Sequence, residues 1–238
     1  MAGQRLNETA PALAAPGKPA WESELLLGLA LTMTAGYVDA IGYVQLGHLY
    51  VSFMSGNSTQ FGMALAAGDM SVVTWGGSVI ALFVMGSFLG ALIVELFPRT
   101  KILATLSCEI FSVIVALALS LAGIGRAAVL PVVVAMGLQN AIHQVVVGAD
   151  TGKSFITGTL FGVGAALAKA LLGRGQPLQA GVHALSWCAF AMGVVLGAFS
   201  HAWFGRNIAL TAIGVFLLLL VALVSGRHWL TARSSGPL

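Results

Sequence analysis

Charge is scarce in this chain. Only 8% of its residues are Asp, Glu, Lys or Arg, where an ordinary soluble domain carries roughly a quarter. The 11 basic residues sit singly or in pairs between apolar stretches, so the basic patch or stripe that nucleic acid requires is missing. Cysteine is nearly absent. Cys108 and Cys188 are two thiols inside apolar runs, which excludes a disulfide framework and a cysteine-based metal site. Neither His-Glu-x-x-His nor Gly-x-Ser-x-Gly occurs, and no acids are paired as catalytic carboxylates. An intramembrane hydrolase therefore lacks its usual parts, and no metal or other cofactor is implied.

What the chain has is hydrocarbon. Its residues are 58% hydrophobic and its mean hydropathy is +0.95. Apolar stretches at 25–44, 72–97, 102–123, 127–147, 180–204 and 208–225 approach or exceed the roughly 20 residues that cross a bilayer core of about 30 Å. The chain reads as an all-α integral membrane protein whose first partner is the lipid bilayer. Residues 1–24 are rich in Ala and Pro, cannot form a core and read as a disordered tail. The first apolar run starts late and carries Asp39, unlike a cleavable signal peptide. Residues 226–238 form a short C-terminal tail.

The sequence also repeats itself. "SFMSGNSTQFGMALAAG" (52–68) and "SFITGTLFGVGAALAKA" (154–170) share seven of 17 positions. Upstream, "GYVDAIG" (36–42) lies over "GLQNAIH" (137–143), which sets Asp39 opposite Asn140. Downstream, "FVMGSFLGA" (83–91) and "FAMGVVLGA" (190–198) share six of nine, and Arg99 and Arg206 follow at the same offset. Three matches in one order indicate a duplicated unit, with halves at 25–123 and 127–225.

Each half holds three long apolar segments and one short Gly-rich element. From Asn57 to Ala67 a helix rises about 16 Å, half the hydrocarbon thickness. If the short elements cross, the halves are parallel and the chain has eight crossings. If they dip in and return, the halves are inverted, three crossings each. Lys and Arg favour the cytoplasmic side. Eight crossings strand Arg99, Lys101, Lys153 and Arg206 outside, whereas six leave only Arg126 and Arg206 there. The expectation is therefore six transmembrane helices plus two re-entrant half-helices, an inverted 3+3 repeat with both termini cytoplasmic.

"GADTGKSFITG" (148–158) invites a nucleotide-binding reading. A phosphate-binding loop needs Gly, four residues, then Gly-Lys-Ser/Thr, and the first Gly position is held by Val147. The matching stretch of the first half, "LYVSFMSG", has no Gly-Lys at all. Lys153 reads instead as a loop cation.

The repeated Ser-Phe-x-Ser/Thr-Gly string is more informative. Ser55 and Asn57, with Gly56 between them, and Thr157 and Thr159, with Gly158 between them, are suited to cap a helix N-terminus. Non-helical backbone survives at membrane depth only where protein buries it or water reaches it. Transporters with inverted repeats place solute at such discontinuous elements.

Ionisable residues within spans point to function. Asp39 lies deep in the first segment, with Gly36, Ala40 and Tyr43 on its helical face; burial penalises its charged form. Its counterpart Asn140 keeps the shape but cannot titrate. Gln139, His143, Gln144 and Glu109 are secondary candidates; Glu95 sits at a segment end beside Pro98 and Arg99. His183 and His201 lie toward the ends of their span. Gly86, Gly90, Gly193 and Gly197 occupy equivalent places in the halves. Glycines four apart let helices approach closely, here for packing of half on half, with homodimerisation as the alternative.

At "AGYVDAIGYVQLGHLYVSFMSGNSTQFGMALAAGD" (35–69) the chain resembles the YoaK-type family of bacterial multi-pass membrane proteins. That family carries a similar Gly-Tyr-x-Asp-Ala string and then Phe-x-Ser/Thr-Gly-Asn before a short helix. "GLQNAI" and "ITGTL" resemble its later motif. The resemblance implies an inner-membrane location and six spans, and brings no activity with it. The expected function is a small secondary transporter or exporter of a small polar or anionic solute. Its midplane site would be formed by Asp39, Tyr43, Ser55, Asn57, Asn140, Thr157 and Thr159, with Asp39 carrying proton or cation coupling. A channel with re-entrant loops and a non-transporting assembly or sensory protein are the alternatives.

Overall fold

The computed structural model describes residues 20–142, 145–146, 149–150 and 156–234. In chain order these form α1 (Ala20–Gln45), α2 (Met54–Ala67), α3 (Met70–Leu96) and α4 (Lys101–Leu121), then a 3₁₀ turn (Arg126–Val129) running into α5 (Leu130–Gln139). Strands β1 (Val145–Val146) and β2 (Ala149–Asp150) pair antiparallel before α6 (Ile156–Leu171) and α7 (Pro177–Ser234). Among the described residues four helices are long and apolar enough to cross a bilayer: Trp21–Gln45, Met70–Leu96, Lys101–Leu121 and Pro177–Gly226. Their outer faces carry large apolar side chains such as Phe111 and Leu219, as a lipid solvent requires.

Pro177–Gly226 runs to 50 residues, more than twice what a bilayer needs. Gly205 breaks it, with φ 79° and ψ 171°, a conformation essentially reserved for glycine. The spans expected at 180–204 and 208–225 are the two arms of this broken helix. The corner between α2 and α3 is equally local in origin. Gly68 takes the left-handed conformation at φ 74° and closes α2. Asp69 then accepts from Ser71 N and Val72 N at 3.1 and 3.2 Å, starting α3.

Three boundaries depart from the sequence expectation. The span expected over 127–147 stops as a helix at Gln139. Asn140 turns its side-chain amide back to Met136 O at 2.8 Å, Ala141 N and Ile142 N tighten onto Leu138 O and Gln139 O, and a β-branched run follows as strand. At the N-terminus, α1 starts at Ala20, inside the expected tail 1–24; Glu22 in the first turn favours a helix start. Residues 1–19 lie outside the described residues. The expected tail 226–238 is helical to Ser234; after Gly226 no Gly or Pro occurs before Gly236-Pro237.

The tightest packing is made by glycines, between elements far apart in sequence. A Cβ on Gly193 would stand 2.0 Å from Met33 O, on Gly197 2.2 Å from Tyr37 O, and on Gly36 2.2 Å from Phe190 O. Here α1 and the first arm of α7 touch backbone to backbone. A Cβ on Gly86 would stand 2.2 Å from Val134 O, on Gly90 2.7 Å from Leu138 O, and on Gly137 2.3 Å from Phe83 O. These are the same three approaches, now between α5 and α3, with every residue replaced by its repeat counterpart. All four expected packing glycines thus serve contacts within the chain.

One end of the bundle is closed by Arg206, just past the α7 break. Its guanidinium donates to Ser120 Oγ at 2.6 Å, Gln45 Oε1 at 3.0 Å and Gly125 O at 2.8 Å, tying together the ends of α1 and α4. Gln45 Nε2 and His201 Nε2 stand 2.6 Å apart. Arg126, next to Gly125, lies over the Trp75 ring at 5.0 Å. Arg126 and Arg206 therefore share one end of the molecule.

Candidate functional site

After Gln45 the chain reverses through Gly47 and His48, at φ 69° and 70°, and returns alongside α1. The returning backbone has no helix to satisfy its amides, and in an apolar interior each unpaired N–H is costly. Asp39 supplies the missing acceptor. Its Oδ1 accepts from Val51 N at 2.8 Å and Ser52 N at 2.6 Å, and its Oδ2 from Ser52 Oγ at 2.7 Å. Asp39 is 2% exposed and Val51 and Ser52 are buried with it. The two backbone N–H groups can only donate, so Oδ1 serves as their acceptor.

Asn57 completes the turn. Its Oδ1 accepts from Tyr50 N at 2.8 Å and its Nδ2 donates to Tyr50 O at 2.8 Å, so one buried amide mimics a strand partner for residue 50. Ser55 and Asn57, expected as helix caps, both lie inside α2, whose N-cap is Phe53 with no side-chain capping bond. The loop is held from α1 and from Asn57 instead, and the helix begins earlier. Ser55 is exposed. Gly56 leaves room for the Phe53 ring, which a Cβ there would meet at 2.5 Å.

Against this corner opens a cavity of about 480 Å³. It is lined by Asp39, Ala40, Tyr43 and Val44 of α1, by Tyr50 and Phe53 of the returning loop, by Ile156 and Thr157 at the start of α6, and by Phe190, Val194 and Ala198 of α7. Tyr43 and Tyr50 have ring centroids 5.2 Å apart, and Tyr50 and Phe53 stand edge to face at 5.3 Å. The lining is aromatic and aliphatic, with Asp39 its formal charge among the described residues.

Of the expected site residues, the structure brings Asp39, Tyr43 and Thr157 to this cavity. Asn57 and Thr159 are buried structural groups beside it, Thr159 donating to Ile156 O at 2.7 Å; Gly158 follows Thr157 in the first turn of α6. Asn140, the counterpart of Asp39, bonds within its own helix and does not line the cavity. Gln139 is buried and donates to Leu31 O at 3.0 Å, locking α5 to α1. Glu109 is fully buried on α4 and is not in the cavity lining. His143 and Gln144 lie outside the described residues.

Sequence reasoning missed Ser52, Tyr50, Phe53 and Phe190. Ser52 and Phe53 belong to the repeated Ser-Phe string, and Phe190 opens the repeated Phe-x-Met-Gly string, so the repeat marked them without revealing their use.

Comparisons with known proteins agree with a membrane protein. The chain is 30% identical over 208 residues to the UPF0700 transmembrane protein RA0705 of Rhizobium meliloti (strain 1021), covering 86% of this chain and 88% of that one. It is 32% identical over 143 residues to the UPF0700 transmembrane protein YoaK of Bacillus subtilis (strain 168), covering 55% of this chain and 61% of that one. No solved structure matches. The profile described as "Protein of unknown function (DUF1275)" matches residues 27–224, which takes in every helix that lines the cavity, and the chain belongs to that family of membrane proteins.

Proposed function

We propose that this chain is a small secondary transporter whose solute site is the cavity beside Asp39, between two inverted halves of three crossings each. The observation that carries the reading is the composition of the cavity wall: α1 and the returning loop come from the first half, α6 and α7 from the second. A site walled by both halves changes its access when one half rocks on the other. Both short helices begin at the cavity, α2 after Phe53 and α6 at Ile156 and Thr157, as a broken element in an apolar interior does when it faces a wet cleft.

The glycine approaches support the pairing of halves, since α1 on α7 is repeated by α5 on α3. The shared end of Arg126 and Arg206 supports three crossings per half. Eight crossings would place these two arginines on opposite sides of the membrane, which the Arg206 bond to Gly125 O opposes. In this layout Arg99 and Lys101 face the cytoplasm of the bacterial inner membrane, as do both termini. A reporter active only in the cytoplasm will work when fused after Lys101 and fail after Arg126; the reverse pattern removes the inverted layout.

The function itself is tested by uptake into vesicles reconstituted with the full chain, under an imposed proton gradient. A transporter shows saturable, gradient-driven uptake of a solute and exchange of labelled for unlabelled solute. Asp39→Asn will abolish the gradient dependence while leaving exchange measurable. If Asp39→Asn keeps the full pH dependence, the coupling role of Asp39 is wrong. A single-channel conductance without counterflow would replace the transporter with a pore.

A further inference from the structure

We infer that the cavity beside Asp39 selects a monovalent organic cation with an apolar body, a quaternary or protonated amine carrying an aromatic or aliphatic group. This rests on the transporter reading for its biological use, but the binding chemistry stands on the lining alone. A small anion, one of the two solute classes the sequence suggests beside a small polar one, finds no cationic side chain among the described lining residues.

Three features converge. First, the charge on the wall is a carboxylate. It accepts from Val51 N, Ser52 N and Ser52 Oγ, with the Phe53 backbone N–H also directed at it, which keeps the carboxylate fixed at the cavity wall. Second, aromatic rings come from three separate elements: Tyr43 from α1, Tyr50 and Phe53 from the loop, and Phe190 from α7. Ring faces attract a cation, most strongly where water is excluded. Third, the remaining wall is Ala40, Val44, Ile156, Val194 and Ala198 with Thr157 as its one uncharged polar side chain, which offers an apolar body mostly hydrocarbon contact. The partial positive charges at the starts of α2 and α6, up to about half an elementary charge each, oppose the cation, so its selection rests on the ring faces together with Asp39.

The test is equilibrium binding of two probes of similar body and opposite charge, benzyltrimethylammonium and benzenesulfonate, to the full chain in lipid nanodiscs. Benzyltrimethylammonium will bind saturably and benzenesulfonate will not. Tyr50→Leu will weaken cation binding about tenfold, and Tyr50→Phe will restore it to within about twofold, because the ring face rather than the hydroxyl acts. The backbone bonds of residue 50 to Asn57 survive both changes. Asp39→Asn will weaken cation binding by at least about tenfold in protein that melts close to the parent.

Equal binding of both probes, tighter binding of the sulfonate, or indifference to Tyr50→Leu overturns the inference. So does a cavity that binds neither probe because a co-purified lipid chain fills it. Cation binding without gradient-driven uptake removes the transporter reading and leaves the site. Gradient-driven uptake that prefers the sulfonate removes the site chemistry and leaves the transporter.

Discussion

Replacing Asp39 with Ala will lower the stability of the protein by about 3–6 kcal/mol, the cost of leaving two buried backbone N–H groups and one hydroxyl without an acceptor. Val51 N and Ser52 N both depend on Asp39 Oδ1, and Ser52 Oγ on Oδ2. Among the described residues no second acceptor stands behind these bonds, so losing the carboxylate unmakes the reversal after Gln45. Water entering from the adjoining cavity recovers part of the loss, which sets the lower figure. Asp39→Asn behaves differently. Its amide oxygen keeps both backbone bonds, and the Ser52 hydroxyl can turn to accept from the amide nitrogen, so its loss stays below about 1.5 kcal/mol. The check is the midpoint of thermal or denaturant unfolding in one detergent for all three proteins. The Ala variant will melt on the order of 10 °C lower, with the Asn variant close to the parent. An Ala variant as stable as the parent would mean the loop is held by something other than this carboxylate. The contrast also makes Asp39→Asn usable in the transport and binding experiments, since it removes the charge and keeps the corner.

How much of this is legible in the sequence depends on chemical contrast. Asp39 stands out because a carboxylate inside an apolar run must be satisfied somewhere, and the structure satisfies it with the loop that the repeat marks. The glycines stand out through their spacing in both halves, and each of Gly86, Gly90, Gly193 and Gly197 meets a backbone carbonyl of a helix from the other half. Tyr50, Phe53 and Phe190 do not stand out. In a chain that is 58% hydrophobic, a ring facing a cavity is written with the same letters as a ring facing lipid, and only folding separates them. The symmetry between Asp39 and Asn140 misleads for a related reason. A repeat keeps position, but the two polar groups find different partners: an incoming loop for Asp39, its own helix for Asn140. Residue type alone makes Ser55 and Asn57 helix caps, and the tertiary clasp on Tyr50 overrides that local preference.

Gly193→Ala will separate α1 from α7, and its counterpart Gly86→Ala will separate α3 from α5. The added Cβ would lie 2.0 Å from Met33 O in the first case and 2.2 Å from Val134 O in the second. Both obstacles are backbone, so no rotamer change relieves them, and the helices must move apart. Movement at Gly193 also opens the contacts of Gly197 on Tyr37 and Gly36 on Phe190, so one methyl group undoes a whole interface. The loss expected from overpacking is about 1–3 kcal/mol or more for each variant. Gly62 and Gly164 are the controls. They share the repeat register as well, yet a Cβ on either would meet nothing within 4 Å among the described residues. Alanine there is neutral or stabilising by up to about 1 kcal/mol through helix propensity. The two damaging variants divide again on function. Asp39 and Tyr43 on α1 face Phe190 and Val194 on α7 across the cavity, so Gly193→Ala widens the site and loses the cation probe. Gly86→Ala leaves both walls in place, and protein that survives it still binds. Equal melting of Gly193→Ala and Gly164→Ala would remove the backbone contact between α1 and α7, and with it the wall on which the cavity depends.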